Sequence, residues 1–232
     1  MSDKIKDWYA IAGQNKKEIK PHKNFKNFRI KPKMGIGLIG PTGTGKTTFL
    51  LEFLDRKQDA FYEVIIFSGS TRDEPLLNFL QEHLDGVNII DNVNELPILT
   101  DYNDSDKTKE KLIVFDDVIN LKKSEKEIIQ KWFNSCRKYG FTAIIMAQNY
   151  SDVPIQIRRN IMIWVLFKQR DIRTIDQILK NHNSNGDSLE ETKQAYYYAT
   201  QNQKDFFKID LTEDGPYRYT HNFIDAIPIN KD

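Results

Sequence analysis

The sequence is short of cysteine, of net charge and of long apolar runs. Its single cysteine, Cys136, excludes an internal disulfide and indicates a reducing compartment such as the cytosol. The longest apolar run, Ile161–Phe167, is far shorter than the roughly 20 residues that cross a bilayer, so we expect no membrane segment. The first ten residues are charged and lack an apolar stretch, which predicts that no secretory signal opens the chain.

The distribution of charge is more informative than its sum. The formal net charge of the 232 residues is only +1, but residues 1–33 carry ten basic and three acidic side chains, a formal charge of +7. We interpret this stretch either as a solvated arm or as a contact to a phosphate backbone or an acidic partner. The four histidines show no metal-ligand spacing.

From Met34 onward, apolar strands alternate with helices. The strands are predicted at the segment that ends at Gly40, at Glu63–Ser68, Leu112–Asp116, Phe141–Ala147 and Ile161–Phe167. Strands that are apolar throughout indicate an α/β fold, with a mostly parallel sheet covered by helices on both faces. We predict a basic arm at 1–33, a core domain at 34–182, and a C-terminal extension at 183–232 that packs on or beside the core.

A glycine-rich segment follows the first strand. It reads GPTGTGKT and matches the phosphate-loop pattern G-x-x-x-x-G-K-[ST] at every fixed position, with a strand before it and a helix after it. Backbone N–H groups and a helix N-terminus bind phosphate in this context, so we predict a P-loop nucleoside triphosphatase that binds ATP with Mg²⁺. Lys46 is expected to reach the β- and γ-phosphates, and Thr47 to bind Mg²⁺. The predicted nucleotide-binding residues are Gly40, Pro41, Thr42, Gly43, Thr44, Gly45, Lys46, Thr47 and Thr48.

Polar side chains end two further strands. Asp116 and Asp117 follow LIVF, and Gln148 follows FTAIIMA. Ligands of open α/β sheets bind at the carboxyl ends of strands. We therefore predict that Asp116 holds Mg²⁺, that Asp117 polarises the attacking water, and that Gln148 contacts the γ-phosphate or that water. The alternative for the two acids is a helix cap, and for Gln148 an ordinary polar strand end.

Four arginines are candidates for a transition-state contact. Arg137 precedes the strand that ends at Gln148 and could reach the nucleotide of a neighbouring subunit. Its alternative is a surface arginine that the dipole of the preceding helix favours. An arginine that makes a transition-state contact is called an arginine finger. Arg158 and Arg159 are alternative arginine fingers or contacts to a bound polymer, and Arg173 is a further candidate.

In this order, the motifs resemble those of the FtsK–HerA superfamily of DNA-pumping ATPases. Within it, the chain is most similar to the genome-packaging ATPases of poxvirus-type and virophage-type viruses. The resemblance covers about Gly35 to Lys180 and depends on the phosphate loop, the Asp-Asp strand end, RKYGFTAIIMAQN and VPIQIRRN. It implies a RecA-like core, a ring-shaped homo-oligomer, commonly a hexamer, and double-stranded DNA drawn through the ring by ATP hydrolysis.

The resemblance also implies roles for single residues. Lys46 and Thr47 match the Walker A pair, Asp116 the metal carboxylate, Gln148 the sensor and Arg137 the finger. Cellular pumps usually have glutamate where this chain has Asp117. The viral branch tolerates Asp-Asp there, which leaves the identity of the base open.

We therefore expect a DNA translocase that packages a double-stranded viral genome into a preformed capsid. Its expected partners are double-stranded DNA of any sequence, copies of itself and a capsid protein, with no membrane. Its expected place is the cytoplasm of an infected cell, at a virus factory or a capsid vertex. The alternatives are a small-molecule or nucleotide kinase, and a DNA-binding ATPase switch that is not a motor.

Overall fold

A computed structural model of the protein describes residues 19–69, 75–106, 108–183 and 186–230. Residues 1–18 of the predicted basic arm lie outside these ranges. Within them, nine strands form a single sheet: β1 Gly35–Ile39, β2 Phe61–Ser68, β3 Val87–Ile90, β4 Glu110–Asp116, β5 Phe141–Ala147, β6 Ile163–Phe167, β7 Phe206–Asp210, β8 Tyr219–His221 and β9 Asp225–Ala226. The α-helices of these ranges are α1 Lys46–Arg56, α2 Pro75–His83, α3 Lys123–Ser135, α4 Ile155–Arg158, α5 Ile172–His182 and α6 Leu189–Ala199.

The sheet has the order β3-β2-β4-β5-β1-β6-β7-β8-β9. Strands β1 to β6 are parallel to their neighbours, whereas β7, β8 and β9 are antiparallel additions beside β6. The predicted α/β class with a mostly parallel sheet is therefore confirmed. We call the side where β1 to β6 begin the amino edge, and the side where they end the carboxyl edge.

Two apolar clusters cover the two faces of the sheet. On one face, α1 buries Phe49, Leu50 and Phe53 against alternate residues of the central strands. On the other face, α3, α5 and α6 pack against the remaining residues of the same strands. The central strands are buried on both sides, which explains why they are apolar without alternation.

The last part of the predicted arm packs against the domain. Phe28 and Ile30 are fully buried and join the cluster under α1. The Lys33 N–H donates a 3.0 Å hydrogen bond to Thr142 Oγ1 in the second residue of β5. The C-terminal residues from Phe206 add strands to the sheet, so they extend the core sideways.

The start of α3 differs from its sequence pattern. Ser124 and Glu127 have the spacing of a capping box, which predicts a helix that starts after Ser124, but the helix begins at Lys123. The Lys122 N–H donates a 2.7 Å hydrogen bond to Glu125 Oε2. Glu125 accepts this hydrogen bond from a backbone N–H, a group that nearly every residue has. The sequence alone therefore does not show whether Glu125 or Glu127 caps the helix.

Candidate nucleotide-binding site

The register of the central strands brings the three predicted motifs together. Strand β5 lies between β1 and β4. Asp116 is level with Met146 of β5, and Ala147 of β5 is level with Ile39 of β1. The Gly40 N–H donates a 3.1 Å hydrogen bond to the Ala147 carbonyl oxygen. Gln148, which follows Ala147, therefore lies beside the start of the phosphate loop and between it and the two acids.

A cavity of about 540 Å³ opens at this point of the carboxyl edge. This volume is in the range of small-ligand sites. Of the predicted site residues, the cavity is lined by Thr42, Gly43, Gly45, Lys46, Thr47, Thr48, Asp116, Asp117 and Gln148. The remaining loop residues, Gly40, Pro41 and Thr44, belong to the same turn behind this lining.

The phosphate loop has the backbone of an anion-binding turn. Gly43 and Gly45 have φ angles of +79° and +114°, which glycine adopts without strain. Gly45 is the N-cap of α1, so the positive end of the helix dipole points at the cavity. Lys46 Nζ donates hydrogen bonds to the carbonyl oxygens of Gly40 at 2.6 Å and Pro41 at 3.2 Å, which holds its ammonium group over the loop.

The two acids stand at a strained end of β4. Asp117 has a φ of +51°, a left-handed conformation that is uncommon for residues with a side chain. The neighbouring Gly69 N–H donates a 3.0 Å hydrogen bond to the Asp116 carbonyl oxygen. A Cβ atom on Gly69 would lie 2.2 Å from the Asp117 carbonyl oxygen. The absence of a side chain at Gly69 is therefore a condition for the observed position of Asp117.

The segment after Gln148 is held by its own capping contacts. Asp152 Oδ2 accepts hydrogen bonds from the Asn149 N–H at 3.0 Å and from Asn149 Nδ2 at 3.1 Å. Asp152 also lines the cavity, and Val153 is fully buried beneath it. These contacts fix the backbone that follows Gln148.

Sequence reasoning missed three residues of this site: Gly69, Asp152 and Lys204. Lys204 lies in the turn between α6 and β7 and lines the cavity with the phosphate loop. The signal available in the sequence was a short polar turn before an apolar strand. It was not sufficient, because the antiparallel direction of β7, which returns this turn to the carboxyl edge, is not visible in the sequence.

The arginine candidates lie apart from the cavity lining. Arg137 is exposed in a turn of 3₁₀ helix just before β5, at the amino edge. With seven residues in β5 at about 3.3 Å each, it is about 23 Å along the strand from Gln148. Arg158 and Arg159 lie near the same edge, because the adjacent Asn160 donates a 3.1 Å hydrogen bond to Asn134 near the end of α3. Arg173 is exposed at the carboxyl edge and pairs with Asp171 at 3.3 Å.

Other groups are excluded as catalytic candidates. Cys136 is fully buried, and burial raises the pKa of its thiol to about 12, so it is not a thiolate at neutral pH. Across the described ranges, no group of three or more His, Cys, Asp and Glu side chains is arranged to hold a metal ion. In the same ranges, none of the helices combines the length and the apolar character that crossing a bilayer requires.

Comparison with known proteins gives one family match. The sequence model of the family described as poxvirus A32 protein matches residues 22–205, which include all the predicted nucleotide-site residues. No curated protein sequence matches the chain.

Solved structures share the fold. The DNA-packaging ATPase B204 from Sulfolobus turreted icosahedral virus is similar with a TM-score of 0.55 and 14% identity, over 87% of this chain and 100% of that chain. The genome packaging NTPase B204 from Sulfolobus turreted icosahedral virus 2, in complex with ATP-γS, has a TM-score of 0.55 and 12% identity, over 82% and 97%. The pCW3 conjugation coupling protein TcpA, with ATPγS, has a TM-score of 0.51 and 13% identity, over 83% and 61%.

Proposed function

This chain belongs to the poxvirus A32 protein family, and on that premise we propose that it is an ATPase that packages viral double-stranded DNA. The family match agrees with the resemblance to viral packaging ATPases that the sequence carries. The similar B204 proteins are described as packaging enzymes, and one of them holds an ATP analogue. A kinase or a DNA-binding switch is not favoured by any of these likenesses.

One observation carries the proposal: the phosphate loop, the two acids and Gln148 line a single cavity. Lys46 supplies a cation to the β- and γ-phosphates, and backbone N–H groups of the loop surround the β-phosphate. Asp117 accepts the proton of the attacking water. Gln148 orients that water or the γ-phosphate, so its position depends on whether ATP or ADP is bound.

Magnesium is part of the proposal, and the residues present fit it. Thr47 and Asp116 offer a hydroxyl and a carboxylate in the same cavity, and oxygen ligands are those that Mg²⁺ prefers. At phosphate sites Mg²⁺ takes one or two carboxylates together with phosphate oxygens, so a larger cluster of acids is not required. When bound, the ion neutralises charge on the β- and γ-phosphates.

We further propose that the arginine finger acts between subunits of a ring, with a hexamer favoured. Arg137 lies at the amino edge, about a strand length from the cavity of its own chain. An exposed arginine at that distance can serve only the nucleotide of a neighbour. Arg158 and Arg159, which share this edge, are the alternatives, and Arg173 is a weaker one.

DNA and the capsid are the proposed macromolecular partners. The described part of the arm carries exposed lysines at the amino edge: Lys20, Lys23, Lys26 and Lys31. Together with Arg159, they offer positive charge to phosphates without reading bases, which suits a motor that grips any sequence. We place the motor in the cytoplasm of an infected cell, at a virus factory or capsid vertex.

The test is the ATPase rate with and without double-stranded DNA of several unrelated sequences, at several salt concentrations. We expect stimulation that is independent of sequence and falls steeply with salt, because phosphate contacts release counterions. A rate that DNA leaves unchanged would favour the kinase alternative. Stable binding to DNA without stimulated hydrolysis would favour the switch.

The finger has its own test. Arg137→Ala is expected to bind ATP and assemble but to hydrolyse slowly, and mixing it with Lys46→Ala subunits should restore part of the activity. Restoration is expected because some mixed interfaces pair an intact phosphate loop with an intact finger. If the two variants co-assemble without restoring activity, the same mixing test is applied to Arg158 and Arg159.

A further inference from the structure

The turn between α6 and β7 contacts the phosphate loop directly. A Cβ atom placed on Gly45 would lie 3.1 Å from both Cα and Cβ of Lys204. The backbone of Lys204 therefore packs against the glycine that immediately precedes Lys46. Lys204 is exposed and lines the nucleotide cavity, so its ammonium group is available on the solvent side of the loop.

The backbone of Lys204 adopts a conformation that favours glycine. Its φ angle is +74°, in the left-handed region where glycine is favoured and other residues are strained. A glycine would adopt this turn without strain, yet the chain has a lysine there. Backbone strain of this kind clusters at active sites and ligand clamps, and Lys204 lines such a candidate site.

The topology places Lys204 on the flank of the loop opposite to the metal carboxylates. From β1, strand β5 and then β4 with Asp116 lie on one side, whereas β6 and then β7 lie on the other. The γ-phosphate of a bound nucleotide must face the carboxylates, which hold the metal and the water. The flank that Lys204 occupies is therefore left to the part of the nucleotide nearer the ribose.

We propose that Lys204 binds the α-phosphate of the nucleotide, as a cation supplied from the C-terminal strands. This inference depends on the proposed nucleotide site and names one further ligand-binding residue in it. Because ADP and ATP share the α-phosphate, Lys204 stabilises both equally. An interaction that is equal in ground state and transition state changes KM and leaves kcat largely unaffected.

The test separates the side chain from the backbone. Lys204→Gly and Lys204→Asn both remove the ammonium group. Glycine adopts a φ near +74° freely and asparagine tolerates it, so neither variant should disturb the backbone. Lys204→Arg keeps the positive charge. Dissociation constants of ADP and of ATPγS with Mg²⁺ are measured by calorimetry, together with kcat and KM for ATP. Lys168→Ala is the matched control, because Lys168 is an exposed lysine just after β6 that does not line the cavity.

We expect both Lys204→Gly and Lys204→Asn to weaken ADP and ATPγS by the same factor, about tenfold or more, as expected for loss of a hydrogen bond between charged groups. KM for ATP should rise by that factor while kcat changes much less. Lys204→Arg should bind within a few-fold of the wild type, and Lys168→Ala should match the wild type.

Unchanged affinity for ADP in folded Lys204→Gly or Lys204→Asn would overturn the inference. A loss confined to ATPγS and kcat would also overturn it, because it would place Lys204 at the γ-phosphate. Lys46→Ala measured in parallel separates the two proposals. If Lys46→Ala loses hydrolysis while the Lys204 variants bind normally, only the present inference is wrong, and if Lys46→Ala also hydrolyses ATP normally, the proposed function is wrong.

Discussion

Polar side chains at the two edges of the sheet have different surroundings. At the carboxyl edge, Lys46, Asp116 and Gln148 line a cavity. At the amino edge, Lys57 and Glu110 are almost fully buried and form an ion pair. Charged and polar side chains therefore line a cavity at one edge and hold the fold together at the other.

Lys57, Glu110 and Thr142 form a buried polar cluster at the amino edge, which we call the amino-edge cluster. Thr142 Oγ1 donates a 2.8 Å hydrogen bond to Glu110 Oε1 and accepts the Lys33 N–H. The ammonium group of Lys57 lies 4.4 Å from the centre of the Phe61 ring, and burial lowers the pKa of this lysine. A buried charge whose partners are satisfied specifies one structure, whereas a polar group that lines a cavity also faces the space that a ligand would fill.

Lys46→Ala should affect function without affecting the fold. The change removes the cation expected on the transferred phosphate, so we expect hydrolysis to fall by about 10³-fold or more. The melting temperature without nucleotide should stay within about 2 °C of the wild type, because Lys46 is only partly buried and its side chain lines a cavity. Steady-state hydrolysis and thermal denaturation measure the two effects. Turnover near that of the wild type would contradict the assignment of the phosphate loop.

Glu110→Gln should affect the fold without affecting function. It leaves the buried Lys57 without its carboxylate, and breaking a buried pair on one side costs about 3 kcal/mol. For a chain of this size, that lowers the melting temperature by roughly 6–12 °C. Hydrolysis per folded molecule should not change. The double variant Lys57→Met with Glu110→Gln should recover part of the loss, and equal stability of the wild type and Glu110→Gln would show that the pair is not structural.

Gly69→Ala tests how the carboxyl edge positions Asp117. The added methyl group would meet the Asp117 carbonyl oxygen at 2.2 Å, so the backbone of Asp117 must move. A displacement of about 1 Å at a reacting group lowers turnover by about 10²-fold, while nucleotide binding through the phosphate loop remains. Gly215→Ala is the control, because there a methyl group meets only the flexible Glu213 side chain. If Gly69→Ala turned over like that control, the position of Asp117 would not limit hydrolysis.

The smallest expected effect is a pH dependence at the end of α5. Burial, and then the charges of Arg158 and Arg218, lower the pKa of His182 to about 4 from 6.5. Because the folded state binds this proton less well than the unfolded state, the stabilisation is complete above about pH 6.5 and declines as the pH falls toward 4. We expect a loss of about 1–2 kcal/mol over this range, since the ring is only partly buried. Denaturant unfolding at pH 7 and pH 4.5 measures it, and His182→Gln should lose less over the same interval.

The site could be predicted where its chemistry is local in sequence. Lys46 and Thr47 are set by a contiguous loop, and Asp116 and Gln148 stand where apolar strands end. The parallel sheet then brings these ends together at one edge. Gly69, Asp152 and Lys204 could not be found in this way. Their roles depend on contacts across strands, such as that between Gly69 and Asp117, and on the antiparallel return of β7.

The fold, too, could be predicted only in part. Strands β1, β2, β4, β5 and β6 follow from apolar composition, and the mostly parallel sheet follows from the alternation of apolar strands with helices. The antiparallel pairing of Phe206 with Phe167 does not, because no local pattern states which neighbour an added strand selects. The amino-edge cluster could not be predicted either, because Lys57, Glu110 and Thr142 are far apart in the sequence and form no recognisable motif.

The segment from Asn149 to Asn160 has a mechanical consequence. It begins next to Gln148, where Asp152 clamps its backbone, and it ends beside Arg158 and Arg159 at the opposite edge. Val153 and Ile157 are fully buried between these ends, so the segment is packed into the core along its length. A shift of Gln148 between nucleotide states would therefore be transmitted along this packed segment to the exposed Arg159 at the amino edge.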